Sequence, residues 1–268
     1  RTNINQRNYL DETPLSLSAK SNFVELVELI INNERFDPIK SKLNFVFYLA
    51  NDEIAKKLIT AKNLDVNYQH IEISTTNTTR KSSPKGKIAQ LDSSSLNVKT
   101  PLFLAVTNNK KEMIDMIINH QSFDPIKSMI KDSIIYLCRS NNIVNFEKLL
   151  KFINDVNIID RSGSSLLEIA IKADNKPMVI DILYNESFDS KKSNFLKSFV
   201  FSLTKCNKPS LKIIRELINY DSKHDHLINF KKCLPNKKSY FTILSSTIPN
   251  LSHVINMLLQ NGADLNMP

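Results

Sequence analysis

Six residues, Phe36-Asp37-Pro38-Ile39-Lys40-Ser41, recur unchanged at Phe123 to Ser128, 87 positions later, and a worn third copy opens with Phe188-Asp189-Ser190. Each of the three phenylalanines stands 23 residues after a hydroxyl residue, Thr13, Thr100 or Ser165. A chain that repeats itself in a fixed register is constrained more tightly than its length alone would constrain it. Stacked copies of one unit are expected.

The unit reads as two short helices. Thr13-Pro14-Leu15-Ser16-Leu17 places a hydroxyl cap and a first-turn proline at the start of a helix reaching Lys20. Ser21 and Asn22 break it, and Val24, Val27, Ile30 and Ile31 then line one face of a second helix, widened by Leu26 and stopped before Pro38. Thr100 to Ala105, Asn108-Asn109 and Met113, Ile114, Ile117, Ile118 repeat the pattern. Ser165 to Ala170 with Met178, Val179, Ile182 and Leu183 does so more loosely. Helix pairs of a second type lie between, ending in Asp65-Val66-Asn67 and Asp155-Val156-Asn157. Seven pairs are expected, at roughly 12–41, 42–67, 98–128, 129–157, 163–193, 194–229 and 239–268. A pair of this size cannot bury its apolar faces alone, whereas stacked neighbours can.

Thr-Pro-Leu-Phe-Leu-Ala at 100–105, the short break, the apolar second helix and Gly262-Ala263-Asp264-Leu265-Asn266 resemble the ankyrin repeat family. The resemblance implies an all-α solenoid of about seven helix pairs with hairpin-like connections and first helices lining a concave side. It also implies a protein-binding scaffold that uses hairpin tips and first-helix exits. On that implication the contact residues are Tyr68, Gln69, Lys99, Asp160 and Arg161 on hairpins, with Lys20, Asn22, Asn108, Lys110 and Lys172 on first helices and their exits. The chain departs from the family where Ser16, Phe103 and Glu168 stand in place of the histidine that links adjacent repeats. Asn22, Asn109 and Asp174 stand where a glycine commonly separates the helices, and they are the next best residues for a left-handed turn. Thr13, Pro14, Thr100 and Pro101 are expected to be structural. Phe36, Phe123 and Phe188 are expected to be buried at the ends of the odd repeats. Ile4-Asn5 looks like the tail of a preceding repeat, and Gly262 to Asn266 like the lead into a following one. A segment of a longer array is therefore expected.

A polar, Ser/Thr-rich insertion spans 72–97, and at its centre Arg80-Lys81-Ser82-Ser83-Pro84-Lys85 makes Ser82 and Ser83 candidates for phosphorylation. Between Lys191 and Lys238 lie 12 Lys/Arg against 3 Asp/Glu, so this stretch carries the equivalent of the whole chain's formal +9. It is the alternative candidate surface, for nucleic acid or another anionic partner, although few aromatics interleave with the lysines as base stacking would need. A third alternative is a regulatory module of a larger protein.

Catalytic and cofactor chemistry leaves little trace. With only Gly86, Gly163 and Gly262, no phosphate-cradling loop can form. Cys138, Cys206 and Cys233 suggest neither a disulfide framework nor a metal site, and His224-Asp225-His226 lacks further ligands nearby. No Gly-x-Ser-x-Gly elbow occurs. The expectation is a non-enzymatic protein without cofactor or metal. It would be intracellular and cytoplasmic or nuclear, since no apolar run spans a membrane or opens a signal sequence.

Overall fold

The computed structural model describes residues 3–73, 96–204, 210–224, 227–228, 256 and 259–260. These residues are mostly helical, with twelve helices and one two-stranded antiparallel hairpin. The helices come in pairs: α1 (Pro14–Lys20) with α2 (Val24–Ile31), α3 (Leu43–Leu49) with α4 (Asp52–Leu58), and α5 (Pro101–Thr107) with α6 (Lys111–Ile118). They continue as α7 (Ile130–Arg139) and α8 (Ile143–Leu150), α9 (Leu166–Lys172) and α10 (Lys176–Leu183), and α11 (Phe195–Thr204) and α12 (Leu211–Lys223). Strand β1 (His70–Ile73) pairs with β2 (Leu96–Lys99), His70 opposite Lys99 and Ile73 opposite Leu96. The paired strands take up both ends of the segment that the sequence assigns to the insertion, and residues 74–95, with Ser82 and Ser83, lie outside the described residues. So does nearly all of the seventh pair.

The local chemistry explains the pairs. Thr13, Thr100 and Ser165 are the N-caps of α1, α5 and α9, each accepting from the backbone N–H three residues on, and Thr13 forms a reciprocal box with Ser16. Between the helices of a pair the chain turns through left-handed residues at Asn22, Asn109, Asn141 and Asp174, with φ of 55°, 53°, 59° and 52°. Asn and Asp tolerate this conformation because their short side chains bond locally, so the missing glycines cost little. Helices α3, α7 and α11 also start directly after left-handed residues, Lys42, Met129 and Asn194.

The chain divides into two compact units, Arg1–Ser133 and Ile134–Pro268. In the first, α1, α3 and α5 pack successively, as do α2, α4 and α6. Leu15, Phe47, Ile54, Leu102 and Ile114 are fully buried between them. In the second, α9 packs on α11, and α8, α10 and α12 follow one another around Leu167, Met178, Val179, Phe199 and Leu217. Each such side chain contributes about 1.5–3 kcal/mol by leaving water, and a neighbouring pair is what provides the cover.

An asparagine clasp marks every copy of the opening motif. Asn67 donates to Ser122 O at 2.5 Å, while its Oδ1 accepts from Asp124 N at 2.8 Å and from Ser128 Oγ at 2.6 Å. Asn5 makes the same three bonds to Arg35, Asp37 and Ser41, and Asn157 makes them to Ser187, Asp189 and Ser193. The motif aspartates, Asp37, Asp124 and Asp189, each accept from two following backbone N–H groups and so close the turn. Thr13 and Thr100 then donate to Ser41 O and Ser128 O, which ties each of these helix starts to the end of its own motif.

The phenylalanines are a correction. Phe36, Phe123 and Phe188 are half-exposed, whereas Ser41 and Ser128 are fully buried and Ser193 nearly so. The serine, not the ring, is the buried end of the motif, because the clasp satisfies its hydroxyl and lets it enter the core without an unpaired polar atom.

Candidate partner-binding surface

In the first unit the chain reaches α1 through a tight tip at residues 8–12. Asn8 N donates to Glu12 O at 2.9 Å, and Asn8 Oδ1 accepts from Leu10 N and Glu12 N, both at 2.9 Å. Asp11 takes a left-handed φ of 60°. With its backbone satisfied internally, the tip holds Tyr9 93% exposed and Leu10 61% exposed. Two large apolar side chains displayed on a built turn are unusual for an ordinary solvated loop.

Beside the tip runs a groove of about 230 Å³ lined by Leu10, Ala19, Phe45, Val46, Leu49 and Ala50. Lys20 and Lys42 stand on its rim and pair with Glu12 and Asp11. The hydrogen bond from Lys42 holds the Asp11 carboxyl below its usual range, and that from Lys20 does the same for Glu12. A second groove of about 470 Å³ lies across Phe45, between Pro38, Ile39, Tyr68 and His70. His70 stacks at a tilt on Phe45 and Tyr48, with centroids 5.2 and 5.1 Å apart, and Tyr48 meets Tyr68 edge-on at 6.5 Å. An apolar floor with a charged rim is the composition of a protein-contact surface.

The second unit has a tip of the same geometry at residues 160–164. Asp160 N donates to Ser164 O at 2.9 Å, Asp160 Oδ1 accepts from Ser162 N and Ser164 N, and Gly163 has a φ of 78°. Here the tip displays Arg161, which is exposed. Behind it Glu168 is nearly buried and paired with Lys172 at 2.9 Å and Lys197 at 3.2 Å, and the Lys172 ammonium lies 4.9 Å over the Phe201 ring. The surface is therefore polar where that of the first unit is apolar.

Asp160 does not take the expected role of a contact residue. Its side chain is only 4% exposed and is consumed by Ser162, Ser164 and Arg139. Burial opposes its ionisation, but these hydrogen bonds outweigh burial and hold its pKa down at about 2. Because the folded value lies below the ordinary 3.8, the stability it contributes is complete above about pH 4 and is lost as pH falls towards 2. Asp160→Asn is expected to flatten the unfolding midpoint of the second unit over that window, read by denaturation at successive pH values. An unchanged pH slope would contradict the assignment.

The other expected contacts divide in two. Arg161 and Asn108 are exposed, and Asn108 ends α5 by donating its N–H to Leu104 O and Val106 O. Gln69 is exposed but donates to Lys127 O at 3.1 Å, and Tyr68 lines the second groove. Lys99 sits in β2 opposite His70. Asn22 is engaged by Asn51 and Glu53, Lys110 donates to Ala50 O at 2.9 Å, and Lys20 and Lys172 are held by Glu12 and Glu168. Tyr9, Leu10 and Phe45 are absent from the sequence expectation. Their signal was an Asn or Asp five residues before the capping hydroxyl, Asn8 before Thr13 and Asp160 before Ser165.

Of the basic stretch, Lys231, Lys232, Lys237 and Lys238 lie outside the described residues, as do Asp225 and His226. Burial pushes the Cys138 thiol up to about 12, so it is inert. Among the described residues no group of three or more His, Cys, Asp or Glu is placed to hold a metal ion, and no helix is long and apolar enough to cross a membrane. Comparison with protein-family models and with curated proteins gives no match.

Proposed function

We propose that the chain is an ankyrin-like solenoid and a non-enzymatic scaffold that binds a protein partner through its hairpin tips and first helices. The observation that carries this reading is the tip of the first unit, where Asn8 spends its side chain on the turn and presents Tyr9 and Leu10 beside an apolar groove. Rigid aromatic and aliphatic anchors next to a groove with a charged rim are the features that give protein interfaces their affinity. The capping hydroxyls, the left-handed Asn and Asp turns and the successive packing of helix pairs support the ankyrin-like part of the reading. Most apolar residues of the helices go into packing, and the tips and first-helix rims are left to carry specificity.

The test is capture from the native cell with a photo-crosslinker placed at Tyr9, against the same probe at Glu25. A partner should crosslink from Tyr9 and not from Glu25, and Leu10→Ser in the same chain should lower its yield at least tenfold. Equal yields from the two sites, or no loss with Leu10→Ser, would reject the tip as the binding surface.

A further inference from the structure

The second helices show which of their positions face the preceding pair. In the first unit Lys57, the sixth residue of α4, pairs with Glu28 of α2 at 2.7 Å. In the second unit Glu216, the sixth residue of α12, pairs with Lys176 of α10 at 2.9 Å. The third residue is more deeply covered: Ile54, Met113, Met178 and Ile213 are all 2% exposed or less. The fourth residue of α3, α9 and α11 behaves alike, since Val46 and Ile169 are 4% exposed and the Ser198 hydroxyl lies 3.2 Å from that of Ser165 at the start of α9.

On the first pair these same positions are Leu17, Leu26 and Leu29. They are 42%, 44% and 68% exposed, and Phe23, one turn before Leu26, is 59% exposed. Three large apolar side chains therefore stand at positions that other pairs use to meet a predecessor, with Phe23 beside them. Asn3-Ile4-Asn5 adds an independent sign. Asn5 N donates to Asn3 Oδ1 as Asn67 N does to Asp65 Oδ1 and Asn157 N to Asp155 Oδ1, and each of those later trios is the next feature after a helix pair. Val66 and Val156 are buried by such pairs, and Ile4 is half-exposed.

We infer that the outer face of α1 and α2 is a stacking interface for one more helix pair of the same kind, supplied by sequence of the same protein ahead of Arg1. Continuity with the interfaces between successive pairs argues for this occupant, because the face is built from the same register and the clasp trio is already in place at its edge. Leu29 is apolar where α4 and α12 carry charges, so its counterpart on the added pair is expected to be apolar as well.

The experiment compares the full-length protein from its natural transcript with the 1–268 chain by hydroxyl-radical footprinting of Phe23, Leu26 and Leu29. Oxidation is expected to be at least tenfold slower in the full-length protein. Leu29→Lys should lower the melting temperature of the full-length protein and leave that of the 1–268 chain unchanged, with circular dichroism confirming that both variants fold. Equal oxidation rates would overturn the inference, as would a transcript that encodes no helical pair ahead of Arg1. Protection that appears in the 1–268 chain as its concentration rises would also overturn it, by assigning the face to a second copy. None of these results bears on Tyr9 and Leu10, so the proposed function stands or falls separately.

Discussion

Asn67→Ala is expected to destabilise the first unit by about 3–4 kcal/mol, enough to remove a large part of the margin of a small domain. The substitution deletes the donor to Ser122 O and the acceptor shared by Asp124 N and Ser128 Oγ, in a site where Asn67 is 6% and Ser128 0% exposed. Each bond is worth about 1 kcal/mol net, and a buried N–H or hydroxyl left unpaired adds about 1–3 kcal/mol. Asn5→Ala removes the same three bonds, but Asn5 is half-exposed, so water replaces those to Arg35 and Asp37 while the buried Ser41 hydroxyl loses its partner, and the cost should be smaller, about 2 kcal/mol. Urea denaturation of the two variants side by side separates the cases. Near-equal losses would show that burial does not decide the strength of the clasp, and a loss below about 1 kcal/mol for Asn67→Ala would remove the clasp from the organising interactions.

The clasp also shows where sequence reading reached and where it stopped. Helix starts were legible because a cap acts within three residues: Thr13, Thr100 and Ser165 announce α1, α5 and α9 without reference to the rest of the chain. The left-handed turns at Asn22, Asn109 and Asp174 were legible for the same local reason. Asn67 and Asn157 were visible only as endings, since their partners lie 30 to 61 residues away and for Asn67 across the insertion. Phe36, Phe123 and Phe188 were misplaced because hydrophobicity favours a buried ring over a buried serine, and only the distant asparagine reverses that preference. The candidate surface was half legible on the same terms. Arg161 lies at a tip, as expected, but Asp160 is spent in making it, and Tyr9 and Leu10 escaped notice because their tip matches that of Asp160 in geometry and not in sequence.

Asn145→Leu is expected to move stability the other way, by about 2 kcal/mol in favour of the fold. Asn145 is the third residue of α8, at the position that Ile54, Met113, Met178 and Ile213 fill on other second helices. It is fully buried, and neither its Oδ1 nor its Nδ2 has a hydrogen-bond partner among the described residues. A buried primary amide without partners forfeits its hydration with nothing in exchange, a cost of about 1–3 kcal/mol. Leucine has the same branching at Cγ and places two methyl groups where the amide oxygen and nitrogen lie, so overpacking is small. The urea midpoint should rise with an unchanged m-value. A fall in midpoint would mean that the amide is hydrogen-bonded in solution and that the second unit uses a polar atom in its core. Asn145→Asp distinguishes the two: an unpaired carboxyl there must stay protonated or destabilise strongly, whereas a site with donors at hand would accept it.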